Sequence, residues 1–154
     1  MNAFDFQNPV KVIFGVGTVA RVGEEASRLG RRALVVSYSD PGPLAGVLDR
    51  VCASLAAAGV PAATFCEVEP NPEIGMVARG VEKAQAWAAD VVVGVGGGSA
   101  MDAAKAIAAG ACYEGGDLWN MVYSRHDDVK AVPPERALPT VMVPVTWSVT
   151  GLIT

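Results

Sequence analysis

A glycine-rich stretch between an apolar strand and a helix constrains this chain more than any other feature. Residues 91–95 are mostly valine, three glycines follow at 96–98, and Ser99 opens an alanine-rich segment that reaches Lys105. The pattern predicts a strand that passes into a helix through a loop without side chains. Such a loop lets a phosphate group approach the backbone, where the unpaired N–H groups of the first helical turn point toward the anion.

The predicted phosphate-binding loop consists of the three glycines and the serine that follows them: Gly96, Gly97, Gly98 and Ser99. Ser99 and Asp102 also have the spacing of a capping box, in which a hydroxyl and a carboxylate accept hydrogen bonds from backbone N–H groups. A tight turn that binds no ligand is the alternative interpretation. The residues of the loop alone leave both interpretations open.

Apolar residues along most of the chain alternate between the spacing of strands and the spacing of helices. Helical segments separate the predicted strands, which lie at 11–14, 33–37, 61–65, 90–95 and 137–143. Strand and helix thus alternate four times before the last strand. This order predicts one α/β domain over residues 1–154, a Rossmann-like three-layer fold with a mostly parallel sheet and right-handed crossovers.

Parallel strands place every strand-to-helix loop at one edge of the sheet, where ligands of such folds bind. We therefore expect Asp40 and Asn71 to share this edge with the glycine loop. Asp40 follows a strand, where a carboxylate accepts a ribose 2′-hydroxyl and repels a 2′-phosphate, although an Asp-Pro turn is the alternative. Asn71 is predicted as the N-cap of a helix with Pro72 at its first position, and it is either only a cap or also a ligand contact.

Composition and charge exclude several classes of function. Twelve Lys and Arg against 16 Asp and Glu give a net charge of −4 without a basic stripe, so no nucleic-acid partner is expected. The chain shows no signal peptide and no apolar run of bilayer length, so we expect no membrane association and a cytoplasmic location. Cys52, Cys66 and Cys112 lack metal-ligand spacing, and His126 is the only histidine. The cysteines are expected to be small buried residues in a reducing compartment, with a reactive thiol as the alternative, and His126 is expected at the surface. No metal site and no catalytic residue is predicted within this chain.

These motifs together resemble the amino-terminal half of the iron-containing (group III) alcohol dehydrogenase family. The specific part is the Gly-Gly-Gly-Ser-x-x-Asp-x-x-Lys string that ends at Lys105, and the stretch 113–119 is similar to the butanol-dehydrogenase branch. The other matching pieces are Lys11–Gly17, Asp40, Glu69–Glu73 and the strand that leads to Pro144. The resemblance implies an NAD(P)-binding α/β domain.

The resemblance also implies a role for each matching residue. Gly97, Gly98 and Ser99 hold the pyrophosphate of the cofactor. Asp40 lies near the adenosine ribose, Asn71 belongs to the Pro-Asn-Pro loop of the site, and Asp102 lies near the nicotinamide end. Thr146 is the threonine that remains of a signature that helps hold the adenosine half, whereas Val145 and Val149 replace two others. NAD is the expected cofactor because of Asp40, and NADP stays open.

In this family a helical carboxyl-terminal domain carries the metal ligands, one Asp and three His, and lines the alcohol pocket. Residues 1–154 contain no counterpart of that domain, so the divalent metal that the resemblance implies, such as Fe²⁺, has no ligands here. We expect the nucleotide-binding half of an NAD-dependent alcohol dehydrogenase, which exchanges hydride between a primary alcohol or aldehyde and nicotinamide, to be inactive alone. A non-catalytic dinucleotide- or phosphate-binding module, or a folded remnant, is the alternative.

We also expect the chain to self-associate as a homodimer. The surface that would meet the absent domain is predicted to be apolar. The side chains expected to cover this surface, or to pair with another copy, are Trp147, Val149, Leu152 and Ile153.

Overall fold

The computed structural model, which describes residues 9–122 and 131–145, contains a parallel four-stranded sheet between two layers of helices. The strands are β1 (Ala33–Tyr38), β2 (Ala62–Val68), β3 (Val91–Gly96) and β4 (Thr140–Pro144). The helices are α1 (Val22–Ser27), α2 (Ala45–Ala57), α3 (Ile74–Ala86) and α4 (Gly98–Gly110). The strand order is β2-β1-β3-β4, and every neighbouring pair is parallel, as the alternating pattern predicted.

Each face of the sheet buries its own hydrophobic core. Successive side chains of a strand point to opposite faces, so Val35 packs with α1 and α2 whereas Leu34 and Val36 pack with α3 and α4. Both β1 and β3 are central strands covered on two sides, which explains why they are apolar without alternation. The expected Rossmann-like three-layer α/β fold is confirmed.

The predicted strand at 11–14 is wrong, because residues 9–14 form no strand. A strand is stable only when its backbone groups pair with a neighbour, and no strand of the described residues pairs with this segment. The side chains of Val12 and Phe14 are 75% and 99% exposed. Strand and helix therefore alternate three times in the described residues, from β1 to α4, rather than four.

Close packing of α4 on β3 sets the position of the glycine loop between them. A Cβ atom at Gly94 would lie 2.9 Å from the Ala104 Cβ and 2.8 Å from the Met142 Sδ. Glycine in the middle of β3 thus lets the helix approach the strand directly. Short 3₁₀ turns precede α1 and α2 and follow α4, at Thr18–Arg21, Gly42–Leu44 and Leu118–Met121.

Candidate functional site

The glycine loop turns directly from β3 into α4 at the carboxyl edge of the sheet. Gly96 has a φ of 148°, a conformation that side-chain-bearing residues rarely adopt. A Cβ atom there would lie 2.6 Å from the Ala100 Cβ and 2.8 Å from the Tyr38 Cε2. Both the backbone conformation and the packing therefore require glycine at this position. Gly97 follows as the N-cap residue of α4 with an extended backbone.

The start of α4 has the geometry of an anion site. The first helical hydrogen bond runs from the Met101 N–H to the Gly97 carbonyl at 3.0 Å, so the amides of Gly98, Ser99 and Ala100 have no partner within the helix. Gly98 is exposed, and a Cβ atom on it would find no other atom within 4 Å. The aligned dipoles of this 13-residue helix also favour negative charge at its start. An anion could therefore reach the amides of Gly98 and Ser99 from solvent, whereas Ala100 is fully buried.

Two neighbouring strands hold the loop in place. The Gly97 N–H donates to the Tyr38 hydroxyl at 3.0 Å, and the Val145 N–H donates to the Gly96 carbonyl at 3.0 Å. One residue earlier, the buried Ser37 hydroxyl donates to the Val95 carbonyl at 3.1 Å and ties β1 to β3. Sequence reasoning missed Tyr38, because its position beside β3 depends on strand order, which no local pattern reveals.

The capping box predicted for Ser99 and Asp102 is wrong. The N-cap residue is Gly97, and no side chain caps the helix. Because α4 begins one residue earlier than predicted, Ser99 occupies its second position, beyond the place where a hydroxyl accepts from the first-turn amides. Asp102 is exposed and accepts a hydrogen bond from the Lys105 ammonium at 3.2 Å. Neither the hydroxyl nor the carboxylate is occupied in capping.

Asp40 lies just past the end of β1, at the same edge of the sheet as the glycine loop. It is exposed, and its Oδ1 accepts a hydrogen bond from the Gly42 N–H at 3.0 Å, the geometry of the Asp-Pro turn considered above. The second carboxylate oxygen makes no hydrogen bond to any residue in the described ranges. The turn and a ribose contact are therefore compatible, because they use different oxygens.

Asn71 lies past the end of β2 at this edge, but its predicted role as N-cap is wrong. The N-cap of α3 is Glu73, and Asn71 instead has a φ of 56° in the preceding loop. Asn adopts this left-handed conformation more readily than most residues, so it shapes the loop rather than caps the helix. Thr146, Trp147, Val149, Leu152, Ile153 and His126 lie outside the described residues.

The cysteines are half-buried free thiols. Burial is the main cause that raises the pKa of Cys52 and of Cys66, so neither is activated as a thiolate. Within residues 9–122 and 131–145, no three side chains of His, Cys, Asp or Glu lie close enough together to hold a metal ion. None of the helices in these ranges is long and apolar enough to cross a membrane.

Two open grooves lie away from the glycine loop. One, of about 440 Å³, runs between β2 and α3 and is lined by residues that include Thr64, Glu67 and Arg79. The other, of about 420 Å³, lies between the first 3₁₀ turn and α2. No glycine-loop residue lines either groove.

A parallel sheet covered on both faces, with a glycine loop between a central strand and its helix, defines a Rossmann-like α/β domain. Comparison with known proteins identifies the family to which this domain belongs. A family model for iron-containing alcohol dehydrogenases matches residues 9–152, so the chain belongs to this family.

This chain spans about a third of the length of the similar proteins. NADH-dependent butanol dehydrogenase A of Clostridium acetobutylicum is 38% identical over 133 residues, which are 86% of this chain and 34% of that protein. The crystal structure of NADH-dependent butanol dehydrogenase A from Thermotoga maritima matches with a TM-score of 0.80 and 38% identity, over 92% of this chain and 34% of that one. NADPH-dependent aldehyde reductase YqhD of Escherichia coli is 30% identical, over 87% of this chain and 34% of that protein.

Proposed function

We propose that this chain binds NAD(H), with the pyrophosphate at residues 96–99, as the nucleotide-binding part of an alcohol dehydrogenase. The observation that carries the proposal is the start of α4, where the exposed Gly98 and its half-buried neighbour Ser99 have backbone amides without helical partners. The similarity to two NADH-dependent butanol dehydrogenases supports the nicotinamide dinucleotide as the ligand.

The residues of this chain would bind and orient the cofactor, which supplies the hydride chemistry when bound. The amides of Gly98 and Ser99 would neutralise pyrophosphate charge, and the second carboxylate oxygen of Asp40 would accept from the adenosine ribose. Asp102, one turn further along α4, would lie toward the nicotinamide. Asn71 and Thr146 belong to the same proposed site by resemblance.

We further propose that the chain alone does not oxidise alcohols. The described residues bring together no set of metal ligands, and the chain spans about a third of the length of its curated relatives, 34% of the butanol dehydrogenase.

Titration with NADH, followed by the fluorescence of the reduced nicotinamide, tests the proposal. We expect saturable binding by the unaltered chain, and no NAD reduction when butanol and Fe²⁺ are added. Absence of saturation up to millimolar NADH would contradict cofactor binding and leave a fold without this ligand. Turnover at ordinary enzymatic rates would contradict the claim of inactivity.

Asp40→Asn should shift the cofactor preference from NADH toward NADPH by about tenfold, because it removes one negative charge near the expected 2′-phosphate. Asparagine retains the oxygen that accepts from the Gly42 N–H, so the turn should survive. The measurement is the ratio of the two dissociation constants at low salt. An unchanged ratio would show that Asp40 does not face the 2′ position.

We also propose that the chain forms a homodimer through the segment 12–16. Val12, Phe14 and Val16 are 75%, 99% and 108% exposed, and clustered apolar side chains of this kind favour association. Light scattering should give twice the monomer mass, and Phe14→Ser should shift it toward the monomer. A monomeric mass at high protein concentration would contradict this proposal.

A further inference from the structure

Tyr38 is fixed against the glycine loop by two independent contacts. Its hydroxyl accepts a hydrogen bond from the Gly97 N–H at 3.0 Å. Its ring packs on Gly96, where an added Cβ would lie 2.8 Å from the Tyr38 Cε2. The residue is the last of β1 and is half-buried, so the sheet and α4 together determine where its hydroxyl lies.

The contact with Gly97 leaves the phenolic proton available. A tyrosine hydroxyl that accepts a hydrogen bond still has one O–H to donate, and this O–H donates to no residue in the described ranges. The accepted N–H bond polarises the O–H group and makes it a better donor. The backbone amide of the N-cap residue is thus replaced at the helix start by a side-chain donor.

Without Tyr38, the Gly97 N–H would be the fourth backbone amide without a hydrogen-bond partner at the start of α4. This N–H instead binds Tyr38, while the amides of Gly98, Ser99 and Ala100 remain open in the helix. Ala100 is fully buried, so an anion at this helix start would meet the N–H groups of Gly98 and Ser99 and one phenol.

We propose that the Tyr38 hydroxyl binds the cofactor pyrophosphate directly, as a donor that acts beside the amides of Gly98 and Ser99. This inference rests on the proposed function and adds a binding residue from β1 to a loop that otherwise belongs to β3 and α4. The Gly97 N–H would donate to the Tyr38 hydroxyl while the Tyr38 O–H donates to a phosphate oxygen. The Gly97 amide thus keeps its hydrogen-bond partner and polarises the donor that binds the phosphate.

Tyr38→Phe tests this role because phenylalanine keeps the ring on Gly96 and removes only the hydroxyl. We expect dissociation constants for NADH and for inorganic pyrophosphate to rise about tenfold, the size expected for the loss of a hydrogen bond to a charged group. Tyr113→Phe is the matched control, because the buried Tyr113 hydroxyl has no hydrogen-bond partner among the described residues. The control should bind both ligands as the unaltered chain does.

The outcomes separate this role from the proposed function. Equal or tighter binding by Tyr38→Phe, with saturable binding by the unaltered chain, would overturn the role of Tyr38 and leave the cofactor site standing. No binding by the unaltered chain would overturn both.

A second measurement avoids any dependence on the folding of the variant. Tyrosine labelled with ¹³C at Cζ in the unaltered chain should give a Tyr38 resonance that shifts when pyrophosphate saturates the protein. The Tyr113 resonance should stay in place. A Tyr38 resonance that does not move at saturation would overturn the proposal.

Discussion

Gly98→Val is expected to weaken NADH binding by about a hundredfold while the domain stays folded. Gly98 is the first residue of α4, and a Cβ on it would meet no protein atom within 4 Å, so valine enters open space. That space is where the pyrophosphate is proposed to lie, against the amides of the first turn. Valine is also a better helix residue than glycine, so stability should not fall.

The matched control for this prediction is Gly75→Val. Gly75 is also exposed in the first turn of a helix, α3, and also has no atom within 4 Å of an added Cβ. The two variants should have similar unfolding midpoints, and only Gly98→Val should lose NADH. Equal affinity of both variants for NADH would place the cofactor away from the start of α4.

Gly23→Ala is expected to lower the free energy of unfolding by about 3 kcal/mol, at the upper end of the cost of overpacking. An added Cβ would lie 1.9 Å from the Ser54 carbonyl oxygen and 2.9 Å from the Ala58 Cβ. Because the first contact is with the backbone, no side-chain rotation relieves it, and α1 must move away from α2. The Gly23 N–H would then lose its 2.8 Å hydrogen bond to the Ser54 hydroxyl.

The control for Gly23→Ala is the same substitution at an open position. Gly46 lies in α2, is exposed and has no atom within 4 Å of an added Cβ. Gly46→Ala should stabilise the protein by roughly 0.5–1 kcal/mol, because alanine is the better helix former. Thermal unfolding should show a fall of roughly 10 °C for Gly23→Ala and a small rise for Gly46→Ala. A similar midpoint for both variants would mean that α1 and α2 do not pack closely at Gly23.

Most of the secondary structure and the sheet direction could be predicted because they depend on local patterns. Apolar runs covered on both faces marked β1 and β3, and Gly59 ended α2 with a φ of 71°. Short links between strands and helices force parallel pairing, so the shared edge of Asp40, Asn71 and the glycine loop followed without knowledge of strand order. The strand order β2-β1-β3-β4 did not follow from these regularities.

The details of the site depend on contacts between residues far apart in sequence. Whether 11–14 forms a strand depends on a partner strand, and the apolar pattern of the segment itself does not reveal one. Helix α4 begins one residue earlier than predicted because Gly97, whose N–H donates to Tyr38 of β1, serves as the N-cap. The residues around Asn71 predict a cap because they carry no signal of its left-handed backbone.

Amide chemical shifts of the ¹⁵N-labelled chain during titration with NADH test the central claim most directly. The account predicts that the largest changes occur at Gly98, Ser99 and Ala100, with smaller changes near Asp40. The largest changes in the groove between β2 and α3, at residues such as Thr64 and Arg79, would contradict it.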